Sequence, residues 1–474
     1  MGSPKVSVII PAYNGAQFLG ETIQSVLGQT YSNFELIIVD DASPDNTAEV
    51  VKRFDDIRLK YIVHEKNKGS DVARDTGLRA SCGEFIAFLD QDDLFHPEKL
   101  AVHVNFMALN PDIGVTYNPR FNLNHSSMTV RDMWCPPRTV TLSDMVLSFP
   151  FAPSDVVLRR EWAVQMDLLN GSLSWCGGEI IHYGGLCLSG CRFASVGRAL
   201  NYRRYHSGRI IKDLVGGCKS EIYAQDKILY DPRCPAEVTA LHNLAHANFY
   251  MSWAYHALAQ GETSIGQGFL TEAYQLKPSI IEGMPCELVH FFLMCSIDDE
   301  TLDHETILKR VFTQLPLEMS QISGQINWAI ARGYLLKSLR ALIWDRSDDG
   351  RRYYEQAKKL KAPIDDPLIR QLTHNLLDIR TQFGDIHVQE KILALKPYFV
   401  KHGGRASLRL LISSYLINRA FESYRAGEYR QVPKLALRAI ANNPRYLLNR
   451  GVLSIFLRSI LKMRAESKSV RDEV

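Results

Sequence analysis

No run of apolar residues in the chain is long enough to cross a bilayer. The longest, around Leu288 to Ile297, is interrupted by His290, whereas a span needs roughly 20 residues. The first residues carry no signal-peptide pattern, so a cytoplasmic protein is expected, at most peripheral at the inner face of the cell membrane. Low-complexity tracts are absent, which excludes disordered and fibrous classes. None of the nine cysteines forms a Cys-x-x-Cys pair, so neither a disulfide framework nor a structural zinc site is expected. Cys176, Cys187 and Cys191 fall close together but lack a His or Cys at ligand spacing. Gly-x-Gly-x-x-Gly is missing from the first turn, and so is the lysine-containing phosphate loop. Those two absences argue against a dinucleotide-dependent dehydrogenase and a nucleoside-triphosphatase.

At 474 residues the chain is too long for one core, and two or three domains are expected. Its composition, 46% hydrophobic and 23% charged, is that of a soluble globular protein. The charge is unevenly spread. Residues 401–474 carry 15 Lys and Arg against 5 Asp and Glu, so they supply +10 to a net +3 and leave the remainder near −7. That basic end suits an anionic contact; no nucleic-acid partner is expected.

The chain is organised around Gly83 to Leu100, GEFIAFLDQDDLFHPEKL. Phe85 to Leu89 read as a buried strand, and Asp90, Asp92 and Asp93 follow at once. Carboxylates packed that closely repel unless a divalent cation or a cationic group sits among them. They lie at the carboxyl end of a strand, where open α/β sheets place ligands.

Val6 to Ile10, Glu35 to Asp40 and Leu59 to Val63 read as further strands, with helices over Gly15 to Gly28, Asp45 to Phe54 and Ser70 to Ala80. Repeated βα units imply a doubly wound, mostly parallel sheet. Polar residues cluster after each strand: Pro11, Tyr13 and Asn14, then Asp40 and Asp41, then His64 to Gly69, then Asp90 to Asp93. Four loops converging on one edge imply a binding site. Acids where other folds carry glycines point to phosphate bound through a metal bridge, that is, a nucleoside diphosphate derivative with Mg²⁺ or Mn²⁺.

Prolines break the stretch between Arg120 and Asp213 into short pieces, among which Ser174 to Val196 reads as loop, helix and strand. Arg203, Arg204, His206 and Arg209 cluster in a segment suited to a diphosphate. Beyond about residue 220 helical periodicity takes over, and an internal repeat emerges. Ala254, Gly261, Gly266, Ala273 and Pro278 share their spacing with Ala420, Gly427, Val432, Ala439 and Pro444; Ser338, Asp345, Gly350 and Ala357 form a weaker copy. Small residues at these offsets let two helices of a hairpin approach closely, an arrangement that resembles the tetratricopeptide hairpin.

VSVIIPAYNGAQFLGETIQSVLGQTYSNFELIIVDDASPDNT and NKGSDVARDTGLRASCGEFIAFLDQDD strongly resemble family 2 glycosyltransferases of the GT-A fold, over most of residues 5 to 110 and again at Gly177 to Arg209. The resemblance implies an inverting, metal-dependent enzyme with a doubly wound mixed sheet. It sets Pro11, Ala12 and Tyr13 at the nucleotide, Asp41 at the base, and Arg74 at the nucleotide or sugar, with Asp75 where the family has Asn. Asp90-Gln91-Asp92 matches the DxD motif, Asp92 the firmer metal ligand and Asp90 and Gln91 at the nucleotide sugar. Arg204 would meet the diphosphate, and His206 the metal or the phosphate. Gly190-Cys191-Arg192-Phe193 matches the family's G-x-R-F segment, and counting back places Glu179 on the second acid of a Glu-Asp pair. Glu179 is therefore the expected base, and the first acid of that pair is missing.

The resulting division is a GT-A domain over 1–220, with a nucleotide-sugar-binding half (1–118) and an acceptor-side half (119–220), followed by an all-helical, tetratricopeptide-like domain over 221–474. The expected donor is a nucleoside-diphosphate sugar, with UDP favoured, and the expected pathway is bacterial polysaccharide, glycolipid or glycoconjugate synthesis. The acceptor is not legible. The helical region is expected to recognise the acceptor or a protein partner. In Val452 to Met463, Leu453, Phe456, Leu457, Ile460 and Leu461 form an apolar face beside Arg458 and Lys462. Packing within its own domain and docking on an anionic membrane both fit that helix. A second function also stays open: a helical scaffold whose GT-A half is degenerate.

Overall fold

A computed structural model describes residues 5–124, 127–166, 178–206, 213–298 and 303–472, with side chains to 463. Strands β1 (Val6–Ala12), β2 (Phe34–Asp40) and β3 (Leu59–Val63) alternate with helices α1 (Ala16–Leu27), α2 (Thr47–Val51) and α3 (Ser70–Ala80). Then come β4 (Phe85–Phe88), β5 (Leu94–Phe95), α4 (Lys99–Leu109), β6 (Val115–Tyr117), β7 (Arg120–Asn124) and β8 (Thr129–Trp134). The α/β region ends with α5 (Leu142–Leu147), β9 (Val156–Arg159), α6 (Arg160–Ala163), α7 (Gly178–Leu188), β10 (Phe193–Ser195) and β11 (Asn201–Tyr205).

Seven strands form one sheet in the order β10-β6-β9-β4-β1-β2-β3. Only β9 runs against its neighbours, β4 and β6, which gives the doubly wound mixed sheet expected of the GT-A resemblance. Both faces are covered, so β1 and β2 are buried at every position, as the continuous apolar runs require. Val8 and Ile10 pack with Leu19 and Ile23 of α1 on one face, while Ile9 packs with Phe88 and Tyr183 on the other. Register pairs Ala12 with Asp40 and Asp40 with Val63. The polar segments after β1, β2 and β3 therefore leave the sheet at one level.

Four further strands, β5-β11-β7-β8, make a small sheet, and β11 hangs beside β5 through Asn201 to Phe95 pairing. This pairing brings residues above 200 back to the Asp90 to Asp93 turn. The helix expected over Asp45 to Phe54 is shorter, at Thr47–Val51. Asp45, two residues ahead of Thr47, accepts from its N–H at 3.2 Å and from its hydroxyl at 2.6 Å.

Beyond β11 the described residues are helical: α8 (Leu214–Leu229), α9 (Ala236–Thr239), α10 (His242–Gln260), α11 (Thr263–Leu276) and others to the end. Residue 220, where strand signals fade, falls inside α8. Ala224, Ile228 and Leu229 of that helix share a cluster with Val146 of α5 and Ile180 of α7, so the change in composition marks no break in packing. Compact units instead comprise 1–333 and 334–474.

The internal repeat falls on three helical hairpins. Within the first unit, α10 and α11 meet at Gly261, left-handed at φ 87°, and Glu262 N–H closes on Ala257 C=O at 2.9 Å. Within the second, Asp345 (φ 59°) and Gly427 (φ 81°) occupy the same place. There Arg346 N–H bonds Ala341 C=O and Glu428 N–H bonds Ser423 C=O, both at 2.8 Å. All three are the helix ending in which a left-handed residue lets the next N–H reach back five residues. Ala254, Ala273, Ser338, Ala357, Ala420 and Ala439 are fully buried, as close helix approach demands.

Near the end, the helix Arg450–Asp472 buries Val452, Ile455 and Ser459. Leu453, Leu457 and Leu461, at i, i+4 and i+8, are 38%, 59% and 63% exposed. The broad apolar face read from the sequence is therefore split into a buried ridge and an open leucine ridge. No described helix is long and apolar enough to cross a membrane.

Candidate functional site

The acids of the cluster after β4 turn to separate partners within the protein. Arg74, buried on α3, donates from Nη2 to Asp90 Oδ1 at 2.9 Å and from Nη1 to Asp71 Oδ1 at 2.8 Å. Its Nη1 also lies 3.9 Å from Glu179 Oε1. Burial opposes the Arg74 charge, yet the three carboxylates hold its guanidinium more basic than usual. Asp92 turns the other way, with Oδ2 3.0 Å from His206 Nε2. Asp93 is 1% exposed and accepts from Arg204 N–H at 3.3 Å. Three acids in four residues thus point to three different partners, which disposes of most of their repulsion.

Glu179 stands in the first turn of α7, where a helix dipole favours an acid. Burial nevertheless pushes its carboxyl above the ordinary glutamate range, while Arg74 restrains the rise. Gly178 makes the approach of α7 feasible, since a Cβ there would lie 2.5 Å from Asp71 Oδ2. Asp71 in turn faces His182 Nε2 at 3.5 Å; burial works against its charge, but His182 and Arg74 keep its carboxyl below the usual value. Both ring nitrogens of His182 are buried, and among the described residues neither makes a hydrogen bond. Asp71 and His182 went unread in the sequence. The available signal was spacing: Asp71 precedes Arg74 by three residues and His182 follows Glu179 by three, each one helical turn along the same face.

Tyr13 is not a core residue: it is 46% exposed at the mouth of the first loop. Its N–H donates to Gln91 Oε1 at 2.8 Å, and Gln91 Nε2 donates back to Tyr13 C=O at 3.0 Å. Gln91 therefore ties the first loop to the fourth, and the Thr22 hydroxyl supports that turn within 2.8 Å of Gln91 C=O. Pro11 and Ala12 are buried in β1, where Ala12 C=O accepts from Asp41 N–H at 2.8 Å. The Asp41 carboxylate is buried and accepts from Lys68 N–H at 2.9 Å, Gly69 N–H at 2.7 Å and His64 Nδ1 at 2.6 Å. In this arrangement it holds the His64 to Gly69 loop. Asp75 leans away from Arg74, accepting from Arg79 at 2.6 Å.

Arg204 differs most from the sequence reading. At 1% exposure it presents no surface to a diphosphate, and its Nη2 donates to Glu21 Oε2 of α1 at 2.5 Å. Within β11, Arg204 is turned into the protein while its neighbours Arg203 and Tyr205 stay half-buried. Cys176, Gly177 and Arg209 lie outside the described residues. The donor set at the sheet edge fits a divalent ion: the Asp92 carboxylate and the His206 imidazole converge at 3.0 Å, while Asp90 is committed to Arg74.

Comparison with known proteins follows the same part of the chain. Residues 7–145 match the model of Glycosyl transferase family 2. Over 155 residues the chain is 37% identical to the Escherichia coli UDP-Glc:alpha-D-GlcNAc-diphosphoundecaprenol beta-1,3-glucosyltransferase WfgD, a match covering 33% of this chain and 60% of that one. It is 44% identical over 113 residues to an uncharacterized glycosyltransferase of Rickettsia conorii, covering 23% of this chain and 18% of the relative. The chain thus spans under two thirds of these relatives. Among solved structures, the mannosyltransferase PcManGT of Pyrobaculum calidifontis, in complex with GDP-Man and Mn²⁺, aligns over 73% of this chain and 88% of that one. Its TM-score is 0.39 at 16% identity, too slight a likeness to bear on function.

Proposed function

We propose that the chain is an inverting, metal-dependent glycosyltransferase that moves a sugar from a nucleoside-diphosphate sugar to an acceptor hydroxyl in bacterial polysaccharide, glycolipid or glycoconjugate synthesis. One observation carries the reading: a single buried guanidinium, Arg74, touches Asp90 of the DxD segment and faces the Glu179 carboxylate. The sequence places these two acids almost ninety residues apart. Their meeting supports a site in which Asp90 helps bind the donor and Glu179 is the base. The match of residues 7–145 to the family model supports it, as does the relative whose name specifies a UDP-glucose donor.

Glu179 takes the acceptor proton as the hydroxyl oxygen attacks the anomeric carbon opposite the departing diphosphate, and configuration inverts. Arg74 fixes the position of that carboxylate and of Asp90. Tyr13, held by Gln91, offers its exposed ring to the base. Asp92 and His206 would hold a divalent cation, which would supply neutralisation of the charge that grows on the leaving group. The open leucine ridge Leu453, Leu457 and Leu461, beside exposed Arg450, Arg458 and Lys462, supports peripheral contact with anionic lipid, where a lipid-linked acceptor would reside.

The test is turnover of UDP-sugars with Mn²⁺, comparing wild type with Glu179→Gln. The amide should lower kcat by about 10²–10⁴ and leave KM for the donor within a few-fold. Because the Glu179 carboxyl is raised, the acid limb of the wild-type profile should lie above the ordinary glutamate range, and the amide should abolish that limb. Unchanged turnover in Glu179→Gln would remove the base from the mechanism; no donor turnover at any pH would remove the enzyme.

A further inference from the structure

Away from the sheet edge, three side chains of the first unit converge. His242 and His246 stand one turn apart on α10, and Asp226 faces them from α8. Asp226 Oδ1 lies 3.1 Å from His246 Nε2 and 3.7 Å from His242 Nε2. The two imidazole centroids are 4.1 Å apart, and the three ligand atoms all fall within 4.8 Å of one another. His246 Nε2 and Asp226 Oδ1 are buried, and among the described residues neither makes a hydrogen bond.

We propose that Asp226, His242 and His246 bind a divalent transition-metal ion, Zn²⁺ foremost, which staples α8 to α10. Zinc about 2.1 Å from each of three tetrahedral ligands sets those ligands roughly 3.4 Å apart, and the observed 3.1 and 3.7 Å bracket that separation. Two histidines four residues apart on one helix present their rings on the same side. His242 Nδ1 lies 3.0 Å from Asn243 Oδ1; an N–H donated there leaves the lone pair on Nε2, facing the cluster. A simple His246⁺–Asp226⁻ pair is the competing account. That pair leaves unexplained why His242 Nε2 also turns toward the same Asp226 oxygen, at 3.7 Å, whereas one shared cation accounts for both contacts. Asp226 and His242 remain 37% and 28% exposed, so solvent reaches the fourth position. The set also differs in kind from the sheet edge: two imidazoles and one carboxylate select zinc, cobalt or nickel over magnesium. Since α8 packs against α7, the helix that carries Glu179, such a staple stiffens the support of the expected base. The metal site stands whether or not the chain transfers sugar.

The experiment uses untagged full-length protein stripped with a chelator and titrated with Zn²⁺ against a chromophoric competitor. Wild type and Asp92→Ala should each bind one equivalent that excess Mg²⁺ does not displace. Asp226→Asn and the His242→Gln/His246→Gln pair should weaken it by more than the 10–100-fold that loss of a supporting partner costs. Co²⁺ added to wild type should give the visible bands of a nitrogen-ligated, four-coordinate ion, a readout that needs no folded variant. Loss of the equivalent in Asp92→Ala, its retention in the double histidine variant, or a six-coordinate Co²⁺ spectrum in wild type would each overturn the proposal.

Discussion

The edge of the sheet and the helical hairpins are held in different terms. Around Arg74 the determinants are charges: one guanidinium reaches two carboxylates and faces a third. In the hairpins they are volumes and backbone angles, a left-handed residue at the turn followed by a residue at the closest approach of the helices. Among the described residues the first arrangement occurs once, so only chemistry and likeness to relatives can expose it. The second occurs three times, so comparison of the chain with itself exposes it. A charge cluster should also fail all at once when its centre is removed, whereas a hairpin contact should lose stability in proportion to the atoms displaced.

The largest effect is therefore expected from Arg74→Ala. It leaves Asp71, Asp90 and Glu179 together without their shared cation, and removal of one member of a buried ionic group costs about 3–5 kcal/mol. Chemical denaturation should show that loss, and donor turnover should fall below that of Glu179→Gln because both acids are misplaced. Activity within tenfold of wild type would mean that the carboxylates do not depend on Arg74 for their positions.

An intermediate effect is expected where α11 crosses α10. A Cβ on Gly266 would lie 2.5 Å from the buried Leu258 side chain and 3.3 Å from Leu258 N. A Cβ on Gly350 would meet Leu342 at 2.7 Å and its backbone N at 3.4 Å. Gly266→Val should cost about 1–3 kcal/mol through overpacking. The third hairpin carries Val432 at this position, fully buried, so Val432→Gly should be destabilising instead, by about 2 kcal/mol of lost burial. Opposite preferences at equivalent positions, measured by thermal unfolding, would show that the repeat conserves geometry but not volume; equal tolerance of Gly and Val at all three would deny the correspondence.

How much could be read beforehand follows from the same contrast. Strand ends, the Asp90 to Asp92 acids and Arg74 lay in contiguous motifs, and the sheet brings them to one edge. Asp71 and His182 were missed because each looks like a surface residue until α3 and α7 are brought together; only tertiary packing makes them neighbours. Arg204 misled for a related reason: a run of basic residues says nothing about which of them a strand turns inward. The composition change near residue 220 was real, but α8 buries its apolar face against α5 and α7, and packing does not stop where a strand pattern ends. The hairpins were legible because glycine at a left-handed turn and small residues at a helix crossing have few substitutes.

Asp345 is the exception within that set and carries the smallest prediction. It is left-handed at φ 59°, where the other two hairpins use Gly261 and Gly427. Relief of that strain by Asp345→Gly is worth about 1 kcal/mol. Yet both Asp345 oxygens accept from Lys391 Nζ, at 2.6 and 2.7 Å, and Lys391 is 4% exposed. Leaving that ammonium buried and unpaired costs about 1–3 kcal/mol, so the ion pair should win and Asp345→Gly should lower stability slightly. Adding Lys391→Met removes the orphaned charge and should restore stability to wild type or about 1 kcal/mol above it. If Asp345→Gly alone stabilises the protein, the pair contributes nothing, and aspartate at this turn has no structural reason in the fold.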